Sequence, residues 1–162
     1  MSKISVCFAV YQNEGSLTPL YERMVHELKT HFPNHDYELL FVNDGSKDNS
    51  LNELLELRKR DNKIRIINFS RNFGQMAAIL AGWENATGDC VINMAADLQD
   101  PPEIIADFIA RWEQGFKVVM AVKPASQENR LMFALRRAYY RFLTQISEIE
   151  LVPNTTGAGL YD

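Results

Sequence analysis

The sequence predicts an α/β domain in which a mainly parallel sheet is covered by helices on both faces. Short apolar runs alternate five times with segments whose apolar residues recur at helical spacing. This alternation is typical of βαβ units, in which helices connect parallel strands. No stretch rich in proline, glycine and serine interrupts it, so a single domain over residues 1–162 is expected.

Five apolar runs, each consistent with burial on both faces, are the predicted strands. They are Ile4–Val10, Tyr37–Val42, Ile64–Phe69, Cys90–Met94 and Lys117–Val122. The predicted helices are Leu17–Phe32, Asp48–Arg60, Gln75–Ala86, Pro102–Gln114 and a last one from about Asn129 to Ile146. Gly82 suits close packing of the third helix on the sheet. The chain ends at Asp162 within the glycine-rich segment Thr156–Gly159, interpreted as a loop, so a C-terminal truncation is expected.

Composition and charge exclude several classes of protein. Hydrophobic residues make up 46% of the chain and charged residues 23%, which is typical of a soluble globular domain. The net charge of −4 argues against nucleic acid as a partner. No signal peptide and no apolar run of bilayer-spanning length is found, so a cytoplasmic location is expected. Cys7 and Cys90 lie in apolar runs, which predicts buried free thiols rather than a disulfide or a metal pair.

The segments that follow the strands are the first places to look for function. Right-handed crossovers put the carboxyl ends of parallel strands on one edge of the sheet, and ligands bind outside those ends. The segments are Tyr11–Glu14, Asn43–Ser46, Ser70–Gly74, Ala95–Asp100 and Lys123–Gln127. No Gly-x-Gly-x-x-Gly follows the first strand, which argues against a dinucleotide-dependent dehydrogenase.

The segment after the second strand contains a candidate ligand-binding carboxylate. Asp44 can accept hydrogen bonds from a ligand N–H, and Gly45 lets a backbone approach closely. Alternatively, the segment is a tight turn in which Asp48 caps the next helix. The two interpretations are compatible.

The segment after the fourth strand contains candidate metal ligands. Asp97 and Gln99 alternate along a segment expected to be extended, so both can face the same side. Oxygen ligands of this kind suit Mg²⁺ or Mn²⁺, which keep open positions for phosphate oxygens. Asp100 and Glu103 have another interpretation, because an N-cap aspartate followed by prolines and a glutamate is a capping box.

The segment Ser70–Gly74 opens the third helix. Arg71 and the helix amino terminus can together hold an anion. Equally, Ser70 or Asn72 can simply cap the helix.

Four of these segments together resemble family 2 glycosyltransferases of the GT-A fold, and most closely the polyprenyl-phosphate and dolichol-phosphate branch. They are Val10–Glu14, Val42–Ser50, Ser70–Gly74 and the specific string Asp97–Glu103. The likeness covers essentially the whole chain. It implies a Rossmann-like three-layer sandwich and an inverting hexosyltransferase of cell-envelope glycan synthesis. The implied donor is a nucleotide sugar, with a UDP-sugar favoured, and the implied acceptor is a polyprenyl phosphate.

The resemblance also implies site residues. Tyr11 and Asp44 match positions that hold the nucleobase, while Asp97 and Gln99 match ligands of the metal, Mg²⁺ or Mn²⁺, and of the diphosphate. Asp97 is the implied catalytic residue. The full set implied for nucleotide binding is Tyr11, Glu14, Asp44, Gly45, Ser46, Asn72 and Asp97.

The sequence departs from the family pattern where acidic residues are often found. Ala95 replaces the first aspartate of Asp-x-Asp, and Ala158 stands at the expected acidic position near the acceptor. Either Asn13 or Glu14 takes the place of a carboxylate after the first strand. The catalytic carboxylate is therefore unassigned, and two alternatives stay open: a family 2 enzyme with a saccharide acceptor, and a donor-binding module without catalysis.

The last predicted helix combines an apolar stripe with basic side chains that include Arg137 and Arg141. Such a helix can lie on an anionic membrane surface, or it can pack on the sheet with a solvated basic edge. The resemblance implies that the arginines face the lipid-phosphate acceptor at the cytoplasmic face of the membrane. Attachment there would be peripheral, or through C-terminal segments like those that relatives commonly carry.

Overall fold

The computed structural model describes residues 2–122 and 155–162. The strands are β1 (Lys3–Val10), β2 (Asp36–Asn43), β3 (Ile64–Asn68), β4 (Cys90–Ala95), β5 (Val118–Val122) and β6 (Thr155–Tyr161). The helices are α1 (Leu17–His31), α2 (Ser50–Arg60), α3 (Gln75–Asn85) and α4 (Ile105–Glu113), the last preceded by a 3-10 turn at Pro102–Ile104. The five predicted strands and the first four predicted helices are thus confirmed. The last predicted helix, from Asn129 to Ile146, lies outside the described residues.

The chain forms two compact units. The first comprises Met1–Met120 and Gly157–Asp162, and the second is Ala121–Thr156, which is described only at its two ends. The core and the candidate site lie within the first unit.

The six described strands form one sheet in the order β3-β2-β1-β4-β6-β5. β1 is parallel to β2 and β4, and β2 is parallel to β3, whereas β6 runs antiparallel to β4. Right-handed crossovers from β1 to β2 and from β2 to β3 place α1 and α2 on one face of the sheet. The connection from β3 to β4 runs back in the opposite direction, so α3 covers the other face. The predicted three-layer architecture is confirmed. Because β2 and β4 lie on opposite sides of β1, the strand order switches, and the path of the chain across the sheet reverses, between β1 and β4.

Apolar side chains on the two faces of the sheet form the core. The rings of Phe8 and Phe41, paired across β1 and β2, stack with centroids 4.8 Å apart. On the opposite face, Gly82 of α3 lies against Cys7, close enough that an added Cβ would contact the Cys7 Cβ at 3.4 Å. The buried residues of α1 recur at helical spacing: Leu17, Leu20, Met24 and Leu28.

The two cysteines are free and buried within this core. Burial raises the pKa of both the Cys7 and the Cys90 thiol to about 12. The prediction of buried free thiols is confirmed, and neither sulfur is a reactive nucleophile at neutral pH.

A buried carboxylate, Glu38, ties the amino-terminal ends of the strands together. It accepts hydrogen bonds from the Ser5 hydroxyl at 2.6 Å, the Thr87 N–H at 2.7 Å and the Arg65 guanidinium at 3.0 Å. Burial alone would raise the pKa of Glu38, but these hydrogen bonds outweigh it and hold the pKa at about 2. The charge therefore stabilises the end of the sheet remote from the strand ends that carry the candidate site.

The interpretation of Thr156–Gly159 as a loop is wrong, because these residues belong to β6. Asn93 of β4 faces Gly159, and its Nδ2 donates to the carbonyl oxygen of Gly157 at 3.0 Å. A Cβ at Gly159 would lie 2.9 Å from the carbonyl oxygen of Val119. Glycine is thus required by the close contact between strands. In a single sequence, such a glycine cannot be distinguished from a glycine in a flexible loop.

Candidate functional site

A cleft opens at the carboxyl ends of β1 and β4, where the path of the chain across the sheet reverses. Open α/β sheets bind ligands in the crevice outside the carboxyl ends of the strands, at the point where the strand order switches. The cleft has a volume of about 270 Å³. It is lined by residues at or beyond the ends of the four parallel strands: Ala9, Val10, Tyr11, Asn13, Asp44, Asn72, Gln75, Ala95, Ala96 and Asp97. The structure thus brings together four predicted site residues, Tyr11, Asp44, Asn72 and Asp97.

Asp44 follows β2 directly and is only 2% exposed. Its Oδ1 accepts the N–H of Phe73 at 2.7 Å, and its Oδ2 accepts the N–H of Gly74 at 3.0 Å. Gly74 is the N-cap of α3, so the carboxylate lies at the positive end of that helix. Asp44 therefore lines the cleft and also holds the loop that leads into α3.

Gly45 allows two cleft loops to touch through their backbones. Its φ is +66°, and a Cβ there would lie 2.4 Å from the carbonyl carbon of Arg71 and 2.6 Å from the nitrogen of Asn72. The next residue, Ser46, accepts the N–H of Gln12 on its Oγ at 3.1 Å. Neither Gly45 nor Ser46 is among the residues that line the cleft. The close backbone approach expected at Gly45 is thus made by a neighbouring loop.

The loop after β1 brings Asn13 to the cleft and leaves Glu14 outside its lining. Asn13 accepts the N–H of Tyr11 on Oδ1 at 2.9 Å. Glu14 is exposed, and its Oε2 accepts the N–H of Asn49, the N-cap of α2, at 3.1 Å. Of the two candidates for the carboxylate position, the structure therefore puts Asn13 at the cleft. The predicted nucleotide-binding role of Glu14 stays a prediction.

The segment after β4 does not run straight. The expectation of an extended course through Asp97 and Gln99 is wrong, because Leu98 has a φ of +61° and Asp97 Oδ1 accepts the N–H of Gln99 at 3.0 Å. This side-chain-to-backbone bond closes a turn, and residues two apart in a turn do not share a face as they do in a strand. Asp97 lines the cleft and Gln99 does not.

The predicted capping box at Asp100 and Glu103 is also wrong. The 3-10 turn begins at Pro102 with Pro101 in the N-cap position, and no side chain caps it. Glu103 instead accepts from Arg23 of α1, with the Arg23 Nε at 2.9 Å and Nη2 at 2.6 Å from its two oxygens. A two-point guanidinium–carboxylate pair is stronger than one bond to a backbone N–H, so the contact between elements prevails over the local one. Of the two prolines expected in the first turn, Pro102 lies there and Pro101 occupies the N-cap position.

The loop before α3 contributes an amide side chain to the cleft. Asn72 is part of the lining, whereas Arg71 is not; the Arg71 guanidinium lies over the Phe73 ring, 4.9 Å from its centre. The N-cap of α3 is Gly74, so the alternative in which Ser70 or Asn72 caps the helix is wrong. The predicted anion site at Arg71 stays a prediction.

Gln75 was not singled out in the sequence, although it lines the cleft beside Asp44 and Asn72. It is the first residue of α3, and side chains in the first turn of a helix lean towards its amino terminus. Its position directly after Gly74 was the signal that could have identified it. Ser16, the N-cap residue of α1, joins the segments that follow β1 and β4, because its Oγ lies 2.9 Å from the carbonyl oxygen of Ala96.

The remaining predictions for the site concern a metal ion, a membrane and two arginines. Within residues 2–122 and 155–162, no group of three or more His, Cys, Asp or Glu side chains is arranged to bind a metal ion. Each helix in that part of the chain is too short or too polar to span a bilayer. Arg137 and Arg141, predicted to face the acceptor or a membrane, lie outside the described residues.

Known proteins resemble this chain in sequence. The model of the family described as Glycosyl transferase family 2 matches residues 5–159. An uncharacterized glycosyltransferase of Synechocystis is 35% identical over 161 residues, which cover 99% of this chain and 50% of that protein. The undecaprenyl-phosphate 4-deoxy-4-formamido-L-arabinose transferase of Proteus mirabilis is 44% identical over 120 residues, covering 74% of this chain and 36% of that protein. The chain spans at most about half the length of these curated relatives.

A solved structure shares the fold. It is the mannosyltransferase PcManGT from Pyrobaculum calidifontis, determined in complex with GDP-Man and Mn²⁺, which matches with a TM-score of 0.65. The match covers 99% of this chain and 44% of that one, at 14% sequence identity. At that identity the likeness establishes the fold alone, and the GT-A fold expected from the sequence is confirmed.

Proposed function

The chain belongs to glycosyl transferase family 2, and from this we propose that it binds a nucleotide sugar in the cleft and passes the hexose to a polyprenyl phosphate. One observation carries the proposal: Tyr11, Asp44 and Asp97 leave three different strands and meet in one cleft. The donor we propose is a UDP-hexose, on the resemblance of the strand-end segments to the lipid-phosphate branch. Residues 1–162 would supply the donor-binding part of the enzyme.

The cleft offers groups that suit a nucleobase. Tyr11 is 45% exposed, and an exposed aromatic ring can stack on a base. Each oxygen of Asp44 already accepts one backbone N–H, which leaves one lone pair on each for an N–H of the base. The amides of Asn13, Asn72 and Gln75 can donate and accept, so they can complete recognition of the base and ribose.

Asp97 suits a divalent cation that needs only one or two carboxylates from the protein. It is an exposed carboxylate at the cleft, and Ala95 stands at the first position of Asp-x-Asp, so of these two positions only Asp97 would offer a carboxylate to the diphosphate. Mg²⁺ binds through one or two carboxylates and takes its other ligands from water and substrate phosphates, which this arrangement permits. Mn²⁺ accepts similar oxygen ligands. When bound, such a cation would neutralise charge on the departing nucleoside diphosphate. A metal-binding role for Gln99 remains part of the proposal.

The proposed acceptor chemistry needs little from the protein. A lipid phosphate is ionised at neutral pH, so its oxygen can attack the anomeric carbon with little help from a general base. The bond between the anomeric carbon and the donor phosphate breaks as the new bond forms on the opposite side, which inverts the configuration. The transfer therefore does not require a general-base carboxylate at the position of Ala158. Ala158 is buried in β6 and outside the cleft lining.

Two observations support the lipid acceptor. The chain is 44% identical over 120 residues to a transferase named for undecaprenyl phosphate. The string from Asp97 to Glu103 is the segment most specific to the lipid-phosphate branch. We extend the proposal to Arg137 and Arg141 as groups that pair with the lipid phosphate at the cytoplasmic face of the membrane.

A donor-binding module without catalysis is the second candidate. It is favoured by the small number of acids among the described residues that line the cleft, where Asp44 and Asp97 are the carboxylates and Asp44 is already bonded to the backbone. In this case the nucleotide sugar would bind without turnover.

Donor binding can be tested by the thermal unfolding of the chain with UDP, GDP, UDP-glucose and GDP-mannose, each with and without Mn²⁺. A ligand at a hundred times its Kd stabilises the folded state by about 2.7 kcal/mol. We expect the uridine compounds to raise Tm most, and only with the metal. Asp97→Asn should abolish the increase in Tm that requires Mn²⁺. The fold should stay intact, because an asparagine oxygen can still accept the N–H of Gln99.

Asp89→Asn is the matched control. Asp89 is exposed and lies directly before β4, at the opposite end of the sheet from the cleft, and it too accepts a backbone N–H, that of Lys3, at 2.7 Å. The variant should shift Tm with each nucleotide as the wild type does. If none of the four nucleotides raises Tm, the donor proposal is wrong; equal shifts without Mn²⁺ would remove the metal from it.

The acceptor can be tested with radiolabelled UDP-glucose and a polyprenyl phosphate in detergent. Label that moves into the organic phase supports the lipid acceptor. Label that moves into a water-soluble product when oligosaccharides are supplied supports a saccharide acceptor instead. Donor binding with neither product supports the module without catalysis.

A further inference from the structure

The loop between β1 and α1 is held by side chains in an unusual way. Five consecutive backbone N–H groups, those of residues 11–15, each donate to a side-chain oxygen rather than to another backbone group. The acceptors are Asn13 Oδ1 for Tyr11, Ser46 Oγ for Gln12, Ser50 Oγ for Asn13, Asp48 Oδ2 for Glu14 and Glu53 Oε2 for Gly15, at 2.8–3.1 Å. Four of the five acceptors come from residues 46–53, and we call these four, Ser46, Asp48, Ser50 and Glu53, the clamp.

Glu53 accepts three hydrogen bonds, more than any other residue of the clamp. Its Oε2 accepts the N–H of Gly15 at 2.8 Å, and its Oε1 accepts both the N–H and the hydroxyl of Thr18 at 2.8 and 2.6 Å. The first turn of α1 has no acidic residue and no side-chain cap of its own. Glu53, which lies on α2, therefore supplies the negative charge that the amino terminus of α1 favours.

The clamp also holds a backbone conformation that the chain alone disfavours. Gln12 has a φ of +55°, which costs a residue with a Cβ of the order of 1 kcal/mol or more. Its N–H is fixed by Ser46, and the N–H of the next residue is fixed by Ser50. The course of the loop is thus set by residues 46–53, although the residues it presents to the cleft are Tyr11 and Asn13.

No member of the clamp is among the residues that line the cleft. Their effect on a ligand has to pass through the loop. A loop that is ordered before the ligand arrives loses less conformational freedom on binding, and this increases affinity.

We propose that the clamp positions Tyr11 and Asn13 for the donor, so that Glu53, a residue that does not touch the nucleotide, determines how tightly it binds. This inference rests on the proposed function, because it takes the ligand of the cleft to be a nucleotide sugar. It changes the interpretation of Ser46, which acts through Gln12 rather than on the donor.

The test compares Glu53→Gln with the wild type by calorimetric titration of UDP and GDP in the presence of Mn²⁺, at a temperature where both chains are folded. A glutamine has one oxygen, so it cannot accept from Gly15 and Thr18 with two oxygens as Glu53 does. We expect Kd to rise at least about tenfold. Amide exchange should report the cause directly. Gly15 is an exposed residue, so its N–H should lose protection once Glu53 no longer accepts from it.

Three further variants separate positioning from a general loss of stability. Glu56→Gln changes an exposed carboxylate on the same helix that pairs with Lys59, and it should leave Kd unchanged. Ser46→Ala should weaken binding, whereas Ser46→Thr keeps the hydroxyl that accepts from Gln12 and should restore it. A destabilised but correctly positioned chain would bind with the wild-type Kd once folded.

The outcomes distinguish the two proposals. If the wild type binds neither nucleotide, the proposed function fails and the inference fails with it. If the wild type binds and folded Glu53→Gln binds equally well, the donor proposal stands and the positioning role of the clamp is overturned.

Discussion

Two loops of the cleft meet backbone to backbone at Gly45. We therefore expect a single added methyl group at this position to destabilise the fold. Gly45→Ala puts a Cβ 2.4 Å from the Arg71 carbonyl carbon in addition to requiring a φ of +66°. We expect the free energy of unfolding to fall by about 2–4 kcal/mol, the sum of left-handed strain and overpacking. Urea denaturation measures it.

Gly115→Ala is the control for the strain alone. Gly115 has a φ of +98°, and a Cβ there would meet nothing within 4 Å. Its variant should lose only about 1–2 kcal/mol. Equal losses for the two variants would mean that the loops can move apart without cost.

Glu38 gives a prediction about pH at the other end of the sheet. Its pKa is about 2 in the folded chain and about 4.5 when unfolded, so its charge stabilises the fold above pH 4.5 by about 3 kcal/mol. This contribution is lost as the pH falls from about 4.5 towards about 2. Glu38→Gln should therefore be markedly less stable than the wild type at pH 7, and the difference should shrink on acidification.

Urea denaturation at pH 7, 4.5 and 3 tests this, with Glu56→Gln as the control. Glu56 is exposed and pairs with Lys59 in solvent, so its variant should follow the wild type at every pH. A constant difference between Glu38→Gln and the wild type across this range would contradict the assignment of the stability to the charge.

Single residues also mark how far the sequence could predict the candidate site. Tyr11, Asp44 and Asp97 could be predicted because each follows a strand, and strand ends converge whatever the loops do. Gln99 and Glu103 could not, because their surroundings depend on a turn at Leu98 and on an arginine 80 positions away in the chain. Such contacts are decided by tertiary structure, and one sequence carries no local sign of them.

At the scale of elements, the packing of α3 on the sheet requires a small residue at position 82, where Gly82 lies against Cys7 and Val42. A Cβ at Gly82 would meet Cys7 and Val42 at 3.4–3.5 Å, which is ordinary contact. Gly82→Ala should therefore be tolerated and should gain up to about 1 kcal/mol from helix propensity. Gly82→Leu should lose about 1–3 kcal/mol, since the longer side chain has to push α3 away from β1.

Urea denaturation of the two variants gives the comparison. Since Leu has nearly the helix propensity of Ala, a difference between them reports packing. Equal stability of Gly82→Leu and Gly82→Ala would show that α3 can shift from the sheet without penalty.

The elements that the sequence predicted well are those with a strong internal pattern. β1, β2 and α1 each bury an apolar run or stripe that is recognisable without knowledge of the partner. β6 has no such pattern: it contains two glycines and is defined by its antiparallel pairing with β4. Strand pairing is a property of two segments, so a strand such as β6, which lacks an apolar run of its own, is harder to predict than β1 or β2.

At the scale of the whole molecule, the two thiols report global opening. Cys7 and Cys90 are 2% and 1% exposed, and burial raises the pKa of both to about 12. We expect a thiol reagent such as DTNB to modify the native chain at least about a thousandfold more slowly than the chain in urea, because only the unfolded fraction reacts. Absorbance at 412 nm follows the reaction.

Gly45→Ala provides the control, because its expected loss of stability should increase both rates by the same factor. Fast modification of one cysteine in the native wild type, with the other protected, would reveal a local opening and contradict this prediction.

The reversal of the chain between β1 and β4 also bears on the order in which the molecule assembles. β4 is made long after β1, yet it pairs beside it: the N–H of Lys3 bonds to Asp89, 86 positions away. β1, β2 and β3 can align as the chain leaves the ribosome, but the cleft lacks one wall until β4 docks on the free side of β1. We therefore expect a ligand of the cleft to bind only once β4 has docked, and so to slow unfolding without hastening folding.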